Sequence, residues 1–187
     1  LTASSQLKEL RNLGLAYNPL GKNGQKAYHR FKIRQKIEEL NRQGRLNELG
    51  ESLLGETVVY VLLDTPYASD LKALDLHGNQ LSDQAVLALA RSPQLSGLVR
   101  LNLSHNNISD RGAIALAESK TLKNLKELNL NFNLIGDAGA KAIAHSSQLA
   151  NLESLKLGQN RIGVEGAMAL AESKTLTQLM HPIFGFY

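Results

Sequence analysis

Apolar and polar positions along the chain fall into one recurring figure, LxxLxLxxN. It occurs at Leu71/Leu74/Leu76/Asn79, Leu98/Leu101/Leu103/Asn106, Leu125/Leu128/Leu130/Asn133 and Leu152/Leu155/Leu157/Asn160, each copy 27 residues after the last. Within a copy, the alternation Leu128, Asn129, Leu130 has the period of two that marks a strand with one buried face. Past the asparagine the spacing lengthens: Leu89, Leu116, Ile143 and Leu170, each followed by alanine, form the inward face of a helix that small residues allow to lie close to the sheet. One strand and one helix therefore recur, and neither can bury its apolar face without a neighbouring copy.

A period of roughly 20–29 residues with this apolar spacing marks a leucine-rich repeat. The predicted fold is an α/β solenoid, with parallel strands on the concave face and helices on the convex face. The asparagine closing each strand offers two donors and an acceptor, so it is expected to bond backbone groups of adjacent turns. Its loss would orphan buried groups at about 1–3 kcal/mol each. Asp83, Asp110 and Asp137 precede Gly/Ala-rich stretches and are expected to cap their own helices; Val164 takes that place in the fourth unit and predicts a weaker helix start.

The interval also exposes departures. Leu10, Leu13, Leu15 and Asn18 repeat the figure, so residues 1–24 are expected to form a partial N-terminal repeat, and the opening Leu1-Thr2-Ala3 reads as a cut through a longer chain. Asn18 and Asn79 are 61 residues apart, one period plus 34, which predicts a helical insertion with a return helix over 25–66. Three-and-four spacing of Ala27, Phe31 and Arg34 through Leu40, then of Leu46, Leu49 and Leu53, suggests two helices there, broken near Gly44. Four regular repeats occupy 67–179. Residues 180–187, with Pro182 in a leucine position and Phe184, Phe186 and Tyr187 after it, are expected to form a C-terminal cap strand; the alternative is a terminal docking or export signal.

Composition narrows the chemistry. There is no cysteine, which excludes disulfides and thiolate metal sites and fits a reducing compartment. The longest apolar run, 58–63, is far short of the roughly 20 residues that span a bilayer, so a soluble chain is expected. No nucleophile elbow, phosphate loop or paired catalytic carboxylate is present, and neither an enzyme nor a cofactor is expected.

Outward strand positions should form columns across the concave face. One is Ala73, Arg100, Glu127, Ser154; the central one is Asp75, Asn102, Asn129, Lys156; beside it run His77, Ser104, Asn131 and Gly158, and the rim holds Tyr17, Gly78, His105, Phe132 and Gln159. Aromatics and arginine dominate hot spots, so Arg100, Phe132 and Tyr17 lead the expected partner-binding set of Tyr17, Asp75, His77, Arg100, Asn102, His105, Glu127, Asn129, Asn131, Phe132 and Lys156. Bland alternatives stand beside these: Phe132 packing back over the stack, Asn102 and Asn129 satisfying each other in an amide ladder, and His77, His105 and Asp75 as ordinary surface residues instead of a metal or acid-base site. Lys22, Lys26, Arg30 and Arg34 recur at four-residue steps and would make a basic stripe suited to an anionic membrane or an acidic partner. Few aromatics interleave it, which argues against nucleic acid.

The convex half, NxIxDxGAxAxAxS, resembles the ribonuclease-inhibitor subclass of leucine-rich repeats. The near-identical stretches Ala-Glu-Ser-Lys-Thr-Leu at 117–122 and 171–176 resemble the texture of the leucine-rich-repeat effectors of Legionella-type intracellular bacteria. That resemblance implies a non-catalytic protein-binding module, a monomer or one half of a heterocomplex, that holds and inhibits or regulates a host protein or another effector. Such a protein passes from the bacterial cytoplasm to the host cytoplasm. The alternative is a membrane- or phosphoinositide-targeted scaffold that uses the basic helix.

Overall fold

The computed structural model describes residues 21–51, 54–180 and 183. Four short strands, β1 (Ala73–Asp75), β2 (Arg100–Asn102), β3 (Glu127–Asn129) and β4 (Ser154–Lys156), pair in parallel in chain order, with Leu74, Leu101, Leu128 and Leu155 in register. Helices α3 (Asp83–Arg91), α4 (Asp110–Ala117), α5 (Asp137–Ala144) and α6 (Val164–Ala171) follow the strands one by one and pack side by side. Between the two layers lies a single leucine core, including Leu76, Leu103 and Leu130, all fully buried. The expected solenoid is the observed one.

Three side-chain ladders weld each unit to the next. Asn106 Nδ2 donates to the carbonyls of Leu76, Leu103 and Ser104 at 2.9–3.1 Å, while its Oδ1 accepts from Asn79 N and Leu81 N at 3.1 and 2.9 Å. Asn133 and Asn160 repeat this pattern. A second ladder runs through serines: Ser119 Oγ donates to Ala90 O at 2.6 Å, and Ser146 and Ser173 do the same one and two units on.

The third ladder corrects the expected role of the aspartates. Asp110 Oδ1 accepts from Gly136 N (2.7 Å) and Gly139 N (2.8 Å), both at the start of the following helix, and Asp83 and Asp137 reach forward in the same way. Each aspartate thus caps its neighbour's helix. Where a helix has a side-chain cap of its own it is a serine, Ser82 for α3 and Ser109 for α4. Close approach of these carboxylates fixes the glycines, because a Cβ on Gly139 would lie 2.8 Å from Asp110 Oδ1. Val164 therefore leaves its own helix capped, by Asp137.

The region expected as a helical insertion is built differently. One helix, α1 (Lys22–Arg42), is followed by Gly44 at φ 68°, but no second helix forms over Leu46 and Leu49. Instead Glu48 bridges Asp75 in parallel, Leu49 N donates to Asp75 O, and Leu54 N donates to Asn79 Oδ1, each bond 27 residues before its counterpart in β1. Glu56 Oε1 accepts from Ser82 N as an aspartate does elsewhere, and α2 (Thr57–Leu63) supplies the helix. Residues 44–70 are thus a degenerate repeat, and the 61-residue interval is two periods plus seven. Gly44, Asn47 and Ser52 stand where the figure has Leu, Leu and Asn, which hid the unit.

At the other end Met180 N donates to Glu153 O and Leu157 N to Ile183 O, continuing the ladder past β4. The partial repeat with Tyr17 and the aromatics from Phe184 onward lie outside the described residues.

Candidate functional site

The parallel register places the first two predicted columns on one floor. Ala73, Arg100, Glu127 and Ser154 alternate with Asp75, Asn102, Asn129 and Lys156 around a shallow concave depression of about 300 Å³, to which the degenerate unit adds Asn47. Strand curvature sinks the leucines between them and leaves these side chains facing out. Their chemistry differs sharply. Asn102 Oδ1 accepts from Ser104 N and Oγ, Asn129 Oδ1 accepts from Asn131 N, and Asn131 Oδ1 accepts from Gly158 N. Asn102 and Asn129 are therefore held by their own turns, and not by each other as an amide ladder would require, while Asn131 reaches the next unit. Within the described residues the side chains of Arg100, Glu127 and Lys156 make no hydrogen bond or ion pair, and all three are exposed.

Where each strand leaves the floor, the backbone turns through a left-handed residue. Glu51, Gly78, His105, Phe132 and Gln159 occupy this place at 27-residue steps, with φ between 51° and 66°. Only glycine adopts that conformation without steric cost, which is about 1–2 kcal/mol for other residues. Phe132 packs back onto the preceding unit and yet remains partly open. Its ring lies 4.1 Å from that of His105 and 13° from parallel, and it stays 47% exposed.

His77 sits between two carboxylates. Its Nδ1 is 2.7 Å from Asp75 Oδ1 and its Nε2 is 3.3 Å from Glu51 Oε1. Burial alone opposes protonation here, but the bonds and charges of Asp75 and Glu51 outweigh it and raise the pKa above the ordinary histidine value. When protonated, the ring can donate from both nitrogens, to Asp75 and to Glu51. Among the described residues no group of three His, Cys, Asp or Glu could hold a metal ion. Gly50 makes this arrangement possible, since a Cβ there would lie 2.1 Å from His77 Nδ1. Glu51, Gly50 and Asn47 escaped the sequence reading; counting 27 back from Gly78, His77 and Leu74 finds them.

The basic stripe is divided. Arg30 pairs with Asp64 at 3.0 Å and Arg34 donates to Asp64 O at 3.5 Å, tying α1 to the end of α2, while Lys22 and Lys26 remain exposed. Of 21 basic residues six lie within 22–36, where no acid occurs, leaving 15 against 17 acids in the remainder. The chain's positive charge is concentrated on α1.

Comparison with known protein families agrees with this geometry. A model described as Leucine Rich repeats (2 copies) matches residues 96–142, and a Leucine Rich repeat model matches 67–90 and 148–171. The chain is built of leucine-rich repeats. Among solved structures it is similar to an internalin from Listeria monocytogenes, with 21% identity and a TM-score of 0.35 over 66% of this chain and 36% of that one. The chain thus spans about a third of the internalin's length. No curated protein sequence matches. Leucine-rich repeat domains generally mediate protein–protein interaction and are typically non-enzymatic.

Proposed function

We infer that this leucine-rich repeat chain is a non-catalytic module that holds a protein partner on its concave face. The supporting observation is Arg100 and Glu127 in the first column and Lys156 in the central one, three charged side chains without internal partners on the floor of the depression. Their signs alternate along the stack, so a partner with complementary alternating charge is favoured and like-charge placements are rejected. The test is capture of a partner by the wild type and by an Arg100→Ala/Glu127→Ala/Lys156→Ala variant whose melting curve is unchanged. Loss of the captured protein supports the reading; equal capture sinks it.

On the finer reading, the module is a secreted bacterial effector, or the regulator of one, that inhibits a host or bacterial protein by covering its active site. Support comes from the near-identical 117–122 and 171–176 stretches and from the absence of cysteine.

A second reading is carried by the charge on α1. Lys22 and Lys26 would lean the N-terminal flank on an anionic membrane surface through electrostatics alone, because no described helix is long and apolar enough to cross a bilayer. Sedimentation with phosphatidylserine vesicles should then weaken with salt, and chains left in the supernatant at low salt would remove this reading.

A further inference from the structure

The left-handed row along the rim contains a gap. Of its five members only Gly78 has no side chain, and it lies between Glu51 and His105. The near-parallel stack of His105 on Phe132, rings from successive units, sets both ring normals along the solenoid axis. The second face of His105 therefore looks back over Gly78. On the other flank the side chain of Glu51 lies along the glycine, its Cγ 3.6 Å from where a Cβ on Gly78 would be. Glu51 and His105 are two units apart, and with strands about 4.8 Å apart a group seated above Gly78 is about 4.8 Å from each. That is the spacing of one stacked planar group.

We propose that this gap takes an arginine side chain of the bound protein, a conclusion that rests on the reading of the chain as a protein-binding module. The guanidinium stacks flat on His105, which Phe132 backs, and its charge faces the Glu51 carboxylate across the slot. Glu51 is well placed for this: its side chain is 81% exposed, and His77 Nε2 at 3.3 Å holds one oxygen from behind. Lysine fits poorly because an ammonium is a point charge with no face to stack, and a neutral aromatic ring would bring no positive charge to the carboxylate.

The test needs no knowledge of the partner. The full chain, isotopically labelled, is titrated with acetyl-Gly-Arg-Gly-amide while the ring resonances of His105 and Phe132 are followed, and the lysine tripeptide serves as the control. Saturable ring shifts with the arginine peptide and about tenfold weaker binding of the lysine peptide are expected. Glu51→Gln should weaken binding severalfold. Gly78→Asn should abolish it, because asparagine fills the gap yet tolerates left-handed φ, so the rest of the amide spectrum stays in place. Equal affinity for the two peptides, an unaffected Gly78→Asn variant, or the absence of saturable shifts would each overturn the proposal. Arg100→Ala, Glu127→Ala and Lys156→Ala should leave tripeptide binding unchanged, so the slot and the concave-face reading can fail separately.

Discussion

Replacing Asp110 by alanine should loosen the helix after the one that Asp110 begins. Its Oδ1 accepts two backbone donors of the next unit, Gly136 N at 2.7 Å, half-buried, and Gly139 N at 2.8 Å, buried. Bonds to a charged acceptor are worth about 1.5–3 kcal/mol each, and loss of a helix cap costs about 0.5–2 kcal/mol. Water can reach Gly136 N but not the buried Gly139 N, so a combined loss of about 2 kcal/mol is expected. Urea unfolding gives the total, and amide hydrogen exchange locates it. Gly139 and Ala140, at the start of α5, should exchange faster, while Ala113 and Ile114 in α4 keep their protection. If α4 loosens and α5 does not, Asp110 caps its own helix and the forward ladder is wrong. Val164→Asp makes the complementary case: Asp137 already serves Gly163 N and Gly166 N, so α6 should gain nothing measurable.

Asn106→Asp keeps the acceptor for Asn79 N and Leu81 N but loses three donations and sets a carboxylate among three carbonyl oxygens. It should cost about 3 kcal/mol or more, read from the urea midpoint, and a loss below about 1 kcal/mol would argue that the ladder is dispensable. For His77 the folded pKa lies above the unfolded value of about 6.5. Its contribution is therefore fully present below pH about 6.5 and is lost as pH rises through the folded value. Stability measured from acid to neutral pH and above should fall by a component that His77→Gln removes; an identical slope in the variant counts against the Asp75 and Glu51 contacts.

How much of this was legible depends on which positions keep the repeat figure. Leu74, Leu101, Leu128 and Leu155 declare the strands directly, because burying one face of a parallel sheet demands the same residue type in every unit. The degenerate unit escaped because Asn47 and Ser52 replace a buried leucine and the ladder asparagine, while Leu46, Leu49 and Leu53 happen to share a helical spacing. What persists is Leu49, Leu54, Val59 and Leu62, each 27 residues before Leu76, Leu81, Val86 and Leu89. The left-handed rim was illegible for a different reason. Gly78 alone advertises it, and Glu51, His105, Phe132 and Gln159 adopt the same backbone because the ladders on either side over-determine the turn. The direction of the aspartate ladder could not be read from spacing, since a residue opening a helix suits its own N-terminus and the neighbouring one equally.

The columns of the concave face divide by what their side chains already do, and that division makes a last prediction. Asn102 and Asn129 use their acceptor oxygens on the backbone two residues ahead. Any partner that bonded the same oxygens would have to share them with those turns. Arg100 and Glu127 face each other in register across β2 and β3, yet they form no ion pair with one another. A free charged side chain loses rotamer entropy only when a partner arrives, so its energy appears in binding, whereas a side chain fixed by its own turn contributes to folding. Asn129→Ala should therefore lower the urea midpoint by about 1 kcal/mol and change partner affinity little. Arg100→Ala should do the reverse, leaving the midpoint within about 0.5 kcal/mol and weakening capture about tenfold or more. If Asn129→Ala is the variant that loses the partner while Arg100→Ala keeps it, the asparagine column is the recognition surface, and the charged side chains are only solvated.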